Sequence, residues 1–193
     1  MIIRIPFFLI LVALVAFDPA MGQDKSTPSG FRGEFLGQFS YEADRVIQLA
    51  NAIPEEKYSW RPAEGVRSIS EVYMHIAGTN VIFPALISGE KIDFQAVMAK
   101  EKSATSKADV AKELAMSVEV VKKLVNGMSD ADLEKSVTIP FIPMTTTARG
   151  VIILIMSHIS EHLGQSIAYS RSVGVVPPWT AAENAKQDSK EGY

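Results

Sequence analysis

The chain has 193 residues, 47% of them hydrophobic, which is enough to build one domain with a substantial core. Its formal net charge is −3, and basic and acidic residues are intermixed rather than gathered into a basic stripe, so nucleic acid is excluded as an expected partner. Cysteine is absent, which rules out disulfides, thiolate ligands and a cysteine nucleophile.

Residues 1–22 read as a signal peptide. Arg4 precedes an apolar run from Ile5 to Phe17, and the small residues Ala20 and Gly22 frame a cleavage that would expose Gln23. The run is shorter than the roughly 20 residues a spanning helix needs. The expectation is an exported protein, periplasmic or extracellular, with no stable membrane anchor after cleavage.

From there to residue 179 the pattern is that of one all-α domain. The first helix spans Gly30 to Ile53, with Phe31, Phe35, Phe39, Val46, Leu49 and Ile53 on one side and Pro54 as its stop. A polar stretch leads to Ser68 and Ser70, either of which could cap a second helix carrying Ile69, Val72, His75, Ile76 and Phe83. Pro84 should kink or close that helix, and Gly89 should end it. A loose connector is expected to about Ser106.

The third helix, Lys107 to Asn126, is amphipathic: Val110, Leu114, Val118, Val121 and Val125 face one way, with Lys112, Glu113, Glu119, Lys122 and Lys123 opposite. Ser129 and Asp130 could cap one short turn through Leu133. The stretch SVTIPFIPMTTT reads as an irregular, extended crossing. The fourth helix runs from near Thr147 to Val173, where Gly174 suits a left-handed end and Pro177-Pro178 should forbid resumption. Residues 180–193 are polar and expected to be a disordered tail. Four amphipathic helices joined by long connectors predict a four-helix bundle. A homodimer through a spare apolar stripe is compatible with such a fold.

The chain holds three histidines, and all three fall on these helices. His158 and His162, four apart, project from one face of the fourth helix. They share a stripe with Val151, Ile155, Gln165 and Tyr169, so they should point into the bundle, where buried imidazoles need either a hydrogen-bond network or a metal. His75 could join them, and three neutral imidazoles around one divalent metal leave a coordination position open for water or substrate. Behind the ligands, Glu71 lies one turn from His75 and could orient it, and Gln165 follows His162 on its stripe. The pentapeptide from His158 to His162 also matches the HxxEH pattern of inverted zinc peptidases, with Glu161 as base. That pattern wants a further glutamate downstream, and Glu183 and Glu191 both fall in the polar tail.

At these residues the sequence resembles the DinB-like family, the DinB/bacillithiol-transferase group of metal-binding bundles. The resemblance is carried by YSWRPAEGVRSISEVYMHIAG from Tyr58 to Gly78, by HISEHLGQSIAYSRSVGVVPPW from His158 to Trp179, and more weakly by TTTARGVI. It implies an up-down-down-up four-helix bundle with a long crossover between its middle helices. It also implies a metal, typically zinc or nickel, held by His75, His158 and His162 with water completing the coordination. Some members of the family are thiol S-transferases using bacillithiol or mycothiol, and others have no established activity. An exported protein would lie outside the compartment where such thiols are maintained. The leading expectation is therefore a metal-dependent hydrolase acting on a small-molecule substrate. The alternatives are a metal-dependent thiol S-transferase and a non-catalytic metal-binding or stress-related bundle.

Overall fold

The computed structural model describes residues 29–103 and 106–191, and the segment expected to be a signal peptide lies outside them. Four long helices form the bundle: α1 (Gly30–Ala52), α2 (Ile69–Ser88), α4 (Lys107–Gly127) and α6 (Ala148–Ser172). Shorter elements fill the connections: α3 (Phe94–Ser103), α5 (Asp130–Leu133), strands β1 (Ser136–Ile139) and β2 (Met144–Thr147), and α7 (Pro178–Glu191).

Contacts at the helix ends fix the directions of the four. Lys107, at the start of α4, donates to the carbonyls of Asn51 and Ile53 at the end of α1, where a cation satisfies orphaned carbonyls and suits the helix dipole. Tyr58 donates to Ala50 O while its own carbonyl accepts from Ser70 N, tying the start of α2 to that same end. Arg149, opening α6, lies over the ring of Phe31 at the opposite end. The order is up-down-down-up, as the sequence led one to expect. The two parallel middle helices, α2 and α4, require a connection that runs the length of the bundle, and α3 lies within it.

The core sits among the four helices. Phe39, Leu49, Ile76, Leu114, Ile152 and Ile155 are all essentially without solvent contact. Each such side chain contributes about 1.5–3 kcal/mol through burial, and together they drive assembly of helices too short to persist alone. Local signals set the boundaries. Ser68 and Glu71 form a reciprocal capping box at the start of α2, and Gly89 closes it at φ 76°. Ser106 and Thr147 cap α4 and α6.

Pro84 does not close α2, which runs on to Ser88 and ends at Gly89 as expected. Three expectations need correction. The connector before Ser106 contains helix α3, started by Asp93, whose carboxylate accepts from Ala96 N. The crossing after Leu133 is a two-stranded antiparallel hairpin pairing Ser136 with Thr147 and Ile139 with Met144, its turn carrying Pro140, Phe141 and Ile142. The tail is helical from Pro178, where proline's fixed φ and missing N–H suit the first helical position. Trp179 anchors this helix by lying 4.7 Å from the Arg45 guanidinium on α1, whose other neighbour is the Tyr41 ring.

Candidate metal centre

Both middle-bundle faces that carry histidines point at each other. One ring nitrogen from each of His75, His158 and His162 lies within 4.8 Å of the others. The ring centroids are 4.9, 4.9 and 4.4 Å apart. His162 is buried, and the other two are partly so.

Two rings are held from behind. His75 Nδ1 lies 3.0 Å from Glu101 Oε2, and the other carboxylate oxygen accepts from Arg67 Nε at 2.7 Å. His162 Nδ1 lies 2.7 Å from Gln165 Oε1, whose amide donates to the Tyr169 hydroxyl. Tyr169 in turn meets the edge of Trp60, from the loop before α2. Acceptors behind both rings place their protons on Nδ1 and turn the Nε2 lone pairs inward. His158 Nε2 stands 3.0 Å from His75 Nε2 and 3.3 Å from Thr79 Oγ1, while the Thr79 hydroxyl donates to the His75 carbonyl.

Electrostatics favour the neutral form of two of these rings, His75 and His158. Burial, then the neighbouring His162, His75 and Arg67, push the His158 pKa down from 6.5 to about 3. Burial and Arg67 also lower that of His75, against the pull of Glu101. Two Nε2 atoms 3.0 Å apart need a proton or a cation between them, and Nδ1 of His158 is buried with no partner. The donor set fits a divalent ion: neutral imidazoles, inward lone pairs, and a carboxylate and an amide fixing the orientation of two of them.

Glu71 is a correction. Its side chain accepts from Ser68 N and pairs with Arg61 rather than reaching His75. Burial works upward on its carboxyl, yet the hydrogen bond from Ser68 and the Arg61 charge together hold it below the usual range. The carboxylate on His75 is Glu101, from the segment read as a loose connector. Its sequence signal was faint: a short helix-forming run after Asp93 in which Glu101 falls seven residues after Phe94, on the face that also carries Val97 and Met98. Gly78 permits the approach of α3, since a Cβ there would lie 2.9 Å from Val97 Cγ1. Gln165 stands where its stripe placed it. Glu161 and Glu183 are exposed, and among the described residues the histidine cluster gathers no carboxylate ligand.

His75, Thr79, Glu101 and His158 form one wall of a cavity of about 650 Å³. Its remaining walls come from α2, α3 and the turn of the hairpin.

Fold and site together define a helical bundle whose three histidines could hold a metal ion beside an apolar cavity. The family model of the DinB superfamily matches residues 38–166, more than half of the chain, and the protein belongs to that superfamily. Among solved structures it is similar to the DinB-like protein YjoA of Bacillus subtilis, at 22% identity and TM-score 0.59, covering 73% of this chain and 92% of that one. A DinB-like protein from Bacillus cereus is 18% identical with TM-score 0.64, covering 75% and 93%. YfiT from Bacillus subtilis, described as a probable metal-dependent hydrolase with an unusual four-helix bundle topology, is 14% identical with TM-score 0.61, covering 78% and 92%. At these identities the likeness is one of fold. Comparison with curated proteins finds no significant match.

Proposed function

We propose that this protein is an exported metal-dependent hydrolase in which His75, His158 and His162 hold a divalent ion, zinc or nickel. The observation that carries the reading is the convergence of three imidazole nitrogens within 4.8 Å, two of them from His75 and His158 on the wall of a cavity large enough for a small molecule. The description of YfiT as a metal-dependent hydrolase agrees with it. The apolar run from Ile5 to Phe17 behind Arg4 supports export to the periplasm or the extracellular space.

Each residue has a task in this reading. Glu101 accepts the Nδ1 proton of His75 and fixes that ring, and Arg67 holds Glu101 in place. Gln165 does the same for His162 and is itself held by Tyr169. Thr79 ties the His75 backbone to the His158 ring. When bound, the ion supplies Lewis-acid polarisation of a substrate carbonyl and acidifies water towards neutral pH. The cavity walls hold the substrate and exclude bulk water, which strengthens every charge interaction at the centre.

The test is elemental analysis of the purified mature protein beside the His158→Ala/His162→Ala variant, followed by hydrolysis of p-nitrophenyl acetate with and without restored metal. One ion per chain in the wild type, none in the variant, and metal-dependent turnover are expected. Equal metal content in both proteins overturns the site. Turnover that appears only when a low-molecular-weight thiol is added replaces hydrolysis with S-transfer. N-terminal sequencing of exported material should begin at Gln23.

A further inference from the structure

The cavity has one polar wall, and the rest of it is apolar. Ile82 and Phe83 enter from α2, Phe94 and Val97 from α3, and Phe141 and Ile142 from the hairpin turn. Three aromatic rings meet there: Phe141 lies 5.7 Å from Phe94, edge to face, and 6.2 Å from Phe83. Phe141 and Ile142 are nonetheless 53% and 39% exposed. Apolar side chains left in water at the mouth of an apolar cavity mark a surface that a ligand completes.

The chemistry of the walls is selective. No Lys or Arg lines the cavity among the described residues, and Glu101 contributes a negative charge. A carboxylate or phosphate seated among the apolar walls, away from the histidines, would lose its hydration without gaining a cation, and a sugar there would leave hydroxyls unpaired, each at a cost of a few kcal/mol. A hydrocarbon chain or aryl ring loses nothing there. The polar wall bears His75 and His158, so the one polar group that fits must sit at that wall. The volume, about 650 Å³, lies in the range that accommodates small organic ligands.

From this we propose that the substrate is a neutral carboxylic ester whose acyl side carries a medium-length aliphatic chain or an aryl ring seated among Phe83, Phe94 and Phe141. This rests on the hydrolase reading above and names its substrate class. The reaction balances with water alone: the water oxygen bonds to the acyl carbon, the acyl C–O bond breaks, and the proton given up by water ends on the departing alkoxide. A carboxylic acid and an alcohol leave.

Two measurements on the metal-loaded protein test the proposal separately from the reading beneath it. The first is fluorescence titration with Nile red, a neutral apolar probe, on the wild type, on Val97→Trp, which fills the cavity, and on Phe141→Asp, which alters an exposed position and leaves the core intact. Binding about tenfold weaker in both variants, at unchanged metal content, is expected. The second is kcat/KM over p-nitrophenyl acetate, butyrate and octanoate, which should rise about three- to fourfold per added CH2 until the cavity is filled, with p-nitrophenyl phosphate unreactive. Nile red binding that is equal in wild type and Phe141→Asp, or turnover indifferent to acyl length, overturns the proposal. If the esters displace Nile red and the variants weaken it while no ester is cleaved, the apolar ligand class stands and the hydrolase reading falls.

Discussion

The carboxylate of Glu101 lies 3.0 Å from Nδ1 of His75, although the two residues are 26 positions apart and belong to different helices. The crossover that joins two parallel helices thus delivers a buried anion to the back of a metal-ligand candidate. Arg67 completes the chain at 2.7 Å, so the carboxylate is placed and paired.

Replacing Glu101 with Ala should therefore weaken metal binding by about 10–100-fold, since partners behind a ligating histidine set its tautomer and basicity. Competition with a chelator of known affinity measures it, and circular dichroism reports whether the bundle persists. Glu101→Gln keeps an acceptor and loses the charge, so it should fall between wild type and Glu101→Ala. An affinity unchanged in both variants would remove Glu101 from the site.

Glu71 gives the contrasting case. It lies one turn from His75 in sequence but spends its carboxylate on Ser68 N and Arg61. Glu71→Ala should lower stability by about 1 kcal/mol through loss of the capping box while leaving metal affinity within twofold. Urea unfolding beside the chelator titration distinguishes the two residues. A large drop in metal affinity for Glu71→Ala would reverse the assignment made here between them.

The difference between these two carboxylates shows what a sequence carries. Helical spacing located His158, His162 and Gln165, because one long helix fixes the direction of its own side chains. The four bundle helices were legible from their apolar stripes, and Ser68 as one of two capping candidates for α2, whereas Ser106 and Thr147 marked only approximate boundaries before the structure showed them capping α4 and α6. Helix α3 was hard to read: its run FQAVMAKEKS carries only the short apolar stripe Phe94, Val97 and Met98, and its one buried residue is Glu101, next on that face and inside because Arg67 and His75 lie across the fold. The hairpin strands are four residues each, too short for alternation to register, and hold together through the pairing of Ser136 to Ile139 with Met144 to Thr147. Helix α7 was hidden by the same proline that starts it.

His158 links the site to acid sensitivity. Folding holds its pKa near 3 against 6.5 for a free imidazole, so below pH 6.5 the unfolded chain takes up a proton that the native protein refuses. The depressed pKa leaves stability untouched above pH 6.5 and removes it progressively as pH falls from there towards 3. Thermal unfolding of metal-free protein at pH 7.5, 6.5, 5.5 and 4.5 should show a midpoint that declines on the acid side. His158→Leu should flatten that decline, and at neutral pH raise the metal-free midpoint by removing the unpartnered Nδ1, while abolishing metal binding. An acid limb identical in the two proteins would show that His158 is not its source.

Gln165 allows the strength of the two supports to be ranked. It faces His162 as Glu101 faces His75, with a shorter contact of 2.7 Å but a neutral acceptor. Charged acceptors form hydrogen bonds roughly twice as strong as neutral ones, so Gln165→Ala should cost less metal affinity than Glu101→Ala, about three- to tenfold. The Tyr169 hydroxyl, which accepts from the Gln165 amide, loses its donor in the same variant, so Tyr169→Phe should produce a smaller loss of the same sign. If the two effects run through one chain of contacts, the double variant Gln165→Ala/Tyr169→Phe should bind metal no more weakly than Gln165→Ala alone. Full additivity in that cycle would mean that the Tyr169 hydroxyl acts on the site by a route other than Gln165.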